Sequence, residues 1–483
     1  MNQKRSINLL IRVSACLLFC ACSKIENASV CNRDIRIYPD YPETVIPCNI
    51  SPLNFRIDTE GEAFLVRFIA GTDSFEVKSS QKITIPLKKW KNLLKSHPGE
   101  RLILKFFVKA GSECLQYRDK QFLIAEEPID SYLVYRLIEP GYELWSKMGI
   151  YQRRLENFEE KPVLLNTQTE RNCMNCHSFR RNRPENMLFH LRTTYGGTMF
   201  VKDGEVTKVD TKSAGEMSAG VYPRWHPDGR YVAFSVNSTH QSFHTANENV
   251  LEVYDKKSDL ILFDTETGKA ITDSIIHRSD RIETFPEWSP DGRYLYFCSA
   301  RAREMPQQYD SLRYDLLRVA FDPETCRFGT QTDTVISSES LKKSVAFPRI
   351  SPDGKYLAVC LTTYGTFPIW HHDNDIYLLN LETGEISPAQ AVNSDQSDSY
   401  HSWSSNGRWF VFSSRRIGGL YTRPFIAYFD REGNFHPPFL LPQKDPEYYD
   451  FLMKSYNIPE LIIDKIKVDP RTFEKAAKQG KRF

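Results

Sequence analysis

Four stretches of this chain share one order of apolar and polar positions. The first runs Tyr222-Pro223-Arg224-Trp225-His226-Pro227-Asp228-Gly229-Arg230-Tyr231-Val232-Ala233-Phe234-Ser235. The same order starts at Phe285, Phe347 and Tyr400, with turns at Asp291-Gly292, Asp353-Gly354 and Asn406-Gly407. An aromatic residue leads, a Pro-Asp-Gly or Ser-Asn-Gly turn follows, and an aromatic-aliphatic run comes next. Glycine takes the positive φ such a turn needs. The run after it predicts a fully buried strand. A further strand is predicted at Leu260–Phe263, Leu316–Phe321, Ile376–Leu381 and Phe425–Phe429. Three of these run into turns, at Gly268, Gly384 and Gly433.

Short strands at regular spacing, with no helical period between them, predict propeller blades. Over residues 222–441 the pattern resembles the WD-repeat-like motif of TolB-type β-propellers. That resemblance implies six blades. Two degenerate blades are expected in Met187–Val209, around Lys202-Asp203-Gly204, and in Tyr132–Leu165. Residues 130–441 then form the propeller. Residues 31–128 carry alternating segments at Leu53–Ile57, Ala63–Phe68, Lys82–Ile85, Leu102–Val108 and Gln121–Ile124, which predict a small antiparallel β-sandwich. Trp90–Lys95 is expected to be a short helix. Residues 442–483 are expected to be a helical tail packed on the propeller, with helices at Tyr448–Lys454 and Pro459–Lys465. The fold class expected is all-β: a six-bladed propeller, a preceding sandwich and a short helical tail.

The first residues read as a targeting segment. Lys4, Arg5 and Arg12 precede the apolar Val13–Ala21, which is too short to span a bilayer. Ala21-Cys22-Ser23 resembles a lipobox, so residues 1–21 are expected to be a signal peptide and Cys22 a lipidated N-terminus, followed by a linker to residue 30. This places the protein in the cell envelope, lipid-anchored to the outer membrane on its periplasmic face. The chain carries 63 basic and 61 acidic residues, a net charge of +2. That balance offers no basic face for nucleic acid.

Asn172-Cys173-Met174-Asn175-Cys176-His177 contains CxxCH. Two thiols at this spacing can bond haem vinyl groups while the adjacent imidazole reaches the iron. One covalent haem c is expected on Cys173 and Cys176, with His177 as proximal ligand. The spacing also allows a Cys173–Cys176 disulfide, or half of a zinc site that no second CxxC completes. Aligning Cys176-His177 with Trp225-His226 puts the motif in a loop entering a blade. Met187, His190, Met217, His226, His240 and His244 are candidate sixth ligands. His240 and His244 lead, because they lie on an insertion present in one blade only.

Cys298 and Cys360 stand where Ser235 and Ser413 stand in the other repeats, which asks for a small buried side chain. Asp373 and Asp375 read as turn residues. Gly215 and Ser218 lack the spacing of a nucleophile elbow, and too few residues follow the last blade for a hydrolase domain. A hydrolase is not expected; a haem-dependent enzyme stays open as a further alternative, which an open iron site would permit. The expected function is an envelope haem protein for electron transfer or redox sensing. The alternative is a binding module that docks an envelope protein or glycan at the propeller mouth, with CxxCH as a structural disulfide.

Overall fold

The computed structural model describes residues 28–139, 147–212, 218–245 and 249–479. Cys22, its signal segment and Met217 lie outside the described residues. The chain divides into two units, residues 1–126 with 442–451 and residues 127–441 with 452–483.

The first unit holds a seven-stranded sheet and a three-stranded sheet. Apolar positions alternate along Ala63–Ala70 and Arg101–Ala110, so each strand buries one face. Phe55 of the small sheet packs on Phe106 of the large one at 5.9 Å. Helix Leu87–Ser96 buries Trp90, which meets Phe68 edge-on. The expected strands and helix are present. The exposed strand Asp73–Ser79 was not anticipated, because its side chains show no buried alternation.

The second unit is the propeller. Its described residues form six four-stranded sheets, and the inner strands neighbour one another in a closed cycle. The inner strands of the second to sixth sheets are Met174–Arg180, Val221–Trp225, Arg281–Trp288, Ser344–Ile350 and Asp398–Trp403. In each of these sheets the inner strand comes first in sequence.

The first sheet differs. Its outer three strands are Tyr132–Ile138, Gly149–Arg154 and Glu160–Leu165, but its inner strand is Ser455–Ile462, from the far end of the chain. This corrects the expected helix at Pro459–Lys465. Every residue of Ser455–Ile462 is buried, a pattern that suits a strand walled on both faces and not a surface helix. Pro459 would also break a helix interior. The tail does end in a short helix, Pro470–Lys478, capped by the Asp469 carboxylate on the Arg471 N–H. Residues 442–451 fall in the first unit and not with the rest of the tail.

The turns after the inner strands follow one design. Ser289 donates to Asp291 at 2.6 Å and accepts from the Tyr294 N–H at 3.0 Å; Ser351 and Ser404 repeat this. In the third sheet His226 replaces the serine. Its Nδ1 lies 2.8 Å from Asp228 and its Nε2 2.9 Å from the Gly292 carbonyl of the next turn. His226 is thereby a turn residue.

Candidate functional site

Every inner strand carries a β-bulge at the same level. The ladder shifts between Asn175 and Ser178, Val221 and Arg224, Thr284 and Glu287, Ala346 and Arg349, Ser399 and Ser402, and opposite Val134 and Arg136 in the closing strand. The first bulge residue takes a left-handed φ in Tyr222, Phe285, Phe347, Tyr400 and Ile458, between 46° and 52°. Such angles cost bulky residues energy and persist only where the surroundings impose them. Here the gain is a collar: Tyr222, Phe285, Phe347 and Tyr400 meet in sequence at 4.5, 4.6 and 4.7 Å. The register gives Cys176 and Ile458 the remaining two positions.

The second bulge residue is proline in four strands: Pro223, Pro286, Pro348 and Pro459. The bulge tolerates a residue without an N–H. His177 and His401 occupy the other two places. This register corrects the alignment made from sequence. Phe179, not Cys176, corresponds to Trp225, so the motif runs into an inner strand and is not a loop at a mouth.

One step further along the strand lies a ring of polar residues. Arg224 Nε meets Glu287 at 3.0 Å, Arg224 Nη1 meets Glu460 at 3.2 Å, and Arg349 Nη1 meets Glu287 at 3.4 Å. Three sheets from different parts of the chain are thus joined through Arg224. Burial holds Glu287 up to about 7 despite the Arg224 charge, and burial also raises Glu460. A cavity of about 380 Å³ opens on this ring, walled by Trp225, Trp288 and Trp403. Arg349 Nε and Trp225 Nε1 are buried without a hydrogen-bond partner.

Around the CxxCH motif, several polar atoms are buried and unsatisfied: Asn172 Nδ2, Asn175 Oδ1 and Ser178 Oγ. Burial first, then the Arg136 and Arg224 charges, push the His177 imidazole down to about 3, so it is neutral. An uncharged imidazole has the chemistry of an axial ligand, and here the backbone of Val134 and Ile458 meets it. Cys173 is an unpaired thiol. The donors fit haem attachment, but the packing round them is closed. Cys173 is 9% exposed and His177 2%, so a porphyrin would need the seam between the first and second sheets to open.

The candidate sixth ligands are dispersed. Met187 lies on the same face of the second sheet as Cys173, inside the seam cluster. His190 lies on the opposite face. It bonds Thr198 at 3.1 Å and lines a cavity of about 510 Å³ with Val221 and Asn237 of the third sheet. The sheet therefore separates His190 from His177. His240 and His244 sit on a hairpin in which Tyr231–Phe243 and Leu251–Asp264 extend past their counterparts. His240 packs on Tyr254 at 5.2 Å, and His244 faces Tyr309 at 6.4 Å. Glu252 holds this hairpin to Tyr364 at 2.6 Å and His371 at 3.0 Å. Neither histidine is brought to the motif. Among the described residues no group of three His, Cys, Asp or Glu side chains is placed to hold a metal.

No family model and no curated protein matches the chain. Solved structures do. An oligogalacturonate lyase in complex with manganese aligns at 13% identity and a TM-score of 0.38, over 64% of this chain and 74% of its own. A puromycin-hydrolyzing peptidase of Mycobacterium tuberculosis aligns at 12% identity and a TM-score of 0.37, over 71% and 52%. The strand order itself establishes the propeller.

The belt of Arg224, Glu287, Arg349 and Glu460 was not anticipated from sequence. Its signal was the residue two places after each leading aromatic, which is charged in Arg224, Glu287 and Arg349.

Proposed function

We propose that this protein is a non-enzymatic binding module of the cell envelope, held there by lipid on Cys22, whose ligand seats at the mouth above the charged belt. The observation that carries this is the pair of buried donors, Arg349 Nε and Trp225 Nε1, that lack acceptors on the wall of a cavity. An unsatisfied buried donor costs roughly 1–3 kcal/mol, which a ligand acceptor would recover. The cavity lies within the usual range for small ligands and for the tip of a larger partner. Its charges of both signs suit a polar segment of an envelope protein or glycan. Thermal-shift screening against peptide and glycan panels tests the reading. Ligands that raise the melting temperature should lose their effect on Arg349→Gln protein; an undiminished effect refutes the mouth as the site.

A second reading is favoured by the buried, neutral imidazole of His177 next to the paired cysteine positions of the motif. In it Cys173 and Cys176 hold one c-type haem and His177 binds its iron, for electron transfer or redox sensing. Bound haem would supply one-electron redox chemistry. The residues of the chain would hold the group and exclude water from the seam, with Met187 the candidate on the motif's own side. A haem stain of a denaturing gel, on protein exported from a host with cytochrome c maturation, should show a band that Cys173→Ala with Cys176→Ala removes. Absence of a Soret band in that preparation ends this reading and leaves the first intact.

A further inference from the structure

A second cavity, of about 830 Å³, lies at the seam between the third and fourth sheets. Arg281 lines it, and Trp288 lines the mouth. These are the first and last residues of one inner strand, so the two cavities sit at opposite ends of the propeller. Residues 256–259 of strand Leu251–Asp264, the loop before Arg281, and residues 302–303 wall the second cavity.

A β-bulge aims the first of these walls. Ser238 pairs with Lys257 and Thr239 with Asp255, so Lys256 is the extra residue. The bulge breaks the alternation of the strand: Tyr254 and Asp255 are both buried, and Lys256 and Lys257 are both exposed. Both lysines thereby line one cavity. Bonds on the buried side hold the bulge in place. Thr239 and Asn237 each donate to Asp255 at 2.6 Å, and Ser258 donates to the Glu283 carbonyl of the fourth sheet at 2.5 Å.

The charge here is lopsided. Six basic side chains line the cavity, Lys256, Lys257, His277, Arg278, Arg281 and Arg303, against the two carboxylates of Asp259 and Asp280. The chain as a whole is nearly balanced, with 63 basic and 61 acidic residues. Arg278 pairs with Asp280 at 3.2 Å and Arg281 with Asp315 at 3.2 Å. Lys256, Lys257 and Arg303 have no ion pair among the described residues. Three like charges gathered at one cavity repel one another, and a bound anion relieves that repulsion. His277 Nε2 lies 3.5 Å from Asp259, and its Nδ1 is buried without a partner.

The lining also narrows the ligand's chemistry. None of the described lining residues is Trp, Tyr or Phe, so a neutral sugar or an apolar peptide finds no stacking surface. Unpaired ammonium and guanidinium groups suit phosphate or sulfate oxygens. Asp259 and the Ser274 and Ser279 hydroxyls stand among the cations and suit hydroxyl donors. The carboxylates disfavour a purely acidic chain.

We infer that this cavity binds a saccharide bearing sulfate or phosphate esters, with Lys256, Lys257 and Arg303 on the ester oxygens and Asp259 on a sugar hydroxyl. The inference goes beyond the ligand at the mouth, since it concerns the other end of the propeller and different residues.

The test is calorimetric titration of the purified full chain with a heparin-derived tetrasaccharide and, separately, with glucose 1,6-bisphosphate, which tells sulfate from phosphate. At least one should bind, and more weakly as salt rises. Lys256→Ala with Lys257→Ala removes exposed side chains, so the melting curve should stay near that of the parent. Affinity should fall by roughly tenfold or more. Lys88→Ala with Lys89→Ala removes the same charge from an exposed pair outside the cavity and should leave affinity unchanged. The inference is overturned if neither saccharide binds, if the Lys256, Lys257 variant binds as tightly as the parent, or if the Lys88, Lys89 variant loses as much. Polyglutamate binding as tightly as the saccharides overturns it in favour of an acidic protein partner. Anionic phospholipid vesicles binding where the saccharides do not overturns it in favour of a membrane contact. Arg349→Gln should leave saccharide binding here unchanged whether or not the mouth binds a ligand.

Discussion

His177 and His401 occupy one and the same position in two inner strands, and four prolines fill that position in the others. Each is buried to 2% exposure. Burial pushes His401 down to about 4 and His177 to about 3. Both meet backbone groups: His401 bonds the Ala358 carbonyl, and His177 meets the backbone of Val134 and Ile458.

That likeness predicts how proline behaves at each place. Proline fills the slot in four strands, so His401→Pro should cost about the lost bond, about 1 kcal/mol. His177→Pro gives up its backbone partners at Val134 and Ile458 and should cost at least as much. Chemical denaturation of both variants checks this. A His177→Pro variant as stable as the parent would show that the imidazole has no partner in the native protein.

Both histidines also predict acid sensitivity. Their folded values lie below the ordinary value near 6.5. The unfolded chain therefore binds protons first as pH falls, and stability is lost from about 6.5 downward until the folded values are reached. Each histidine contributes a slope of up to about 1.4 kcal/mol per pH unit in that window. Glu287 acts oppositely. Its folded value of about 7 lies above the ordinary carboxyl value, so its contribution is complete at low pH and is lost as pH rises from about 4.5 to 7. Melting curves across pH 4 to 8 should show His401→Pro flattening the acid limb. Glu287→Gln should flatten the neutral one. An acid limb unchanged in His401→Pro would sink the assignment.

The turn glycine Gly292 has a φ of +75°, and a Cβ there would lie 2.4 Å from His226 Nε2. Gly292→Val should strain the turn and displace the histidine that ties it to the preceding one. The expected cost is about 1–3 kcal/mol for the backbone, before the clash is counted. Gly384 has a similar φ with open space around it, so Gly384→Val should pay the backbone cost alone. A melting temperature equal for the two variants would remove the His226 contact from the account.

The hairpin bearing His240 and His244 is held through Glu252. Glu252→Ala should break its bonds to Tyr364 and His371 and speed amide exchange in residues 237–243 and 251–258. The six inner strands should keep their protection. Exchange rates unchanged in the hairpin would mean that its ladder, not Glu252, fixes it.

Much of the propeller was legible in the chain. The Asp228, Asp291, Asp353 and Asn406 turns advertise their blades because glycine, serine and buried aromatics recur together. Residues 187–209, marked by the Gly204 turn, hold outer strands of the second sheet, but its inner strand Met174–Arg180 fell outside that stretch. The closing strand was hidden by its distance from the blade it completes, and by Tyr448 and Lys454 nearby, which suggested helix. Yet Asn457-Ile458-Pro459-Glu460-Leu461 repeats Thr284-Phe285-Pro286-Glu287-Trp288 position for position, and the bulge explains why. The register of CxxCH was misread for the same reason. His177 stands in a proline slot, and a reader matching histidine to His226 shifts the strand by three residues. The charged belt escaped because its members are far apart in sequence and meet only when the ring closes.

Ring closure by Ser455–Ile462 has a consequence for biogenesis. The edge of Tyr132–Ile138 that this strand covers is made about three hundred residues before its partner. At roughly 5–20 residues per second, that edge stays uncovered for tens of seconds during synthesis. An apolar edge exposed that long is a template for pairing with another nascent chain. The burden of assembly therefore falls on whatever shields the first blade until Ser455–Ile462 arrives. A chain stopped short at residue 454 should be recovered as aggregate and not as a smaller propeller.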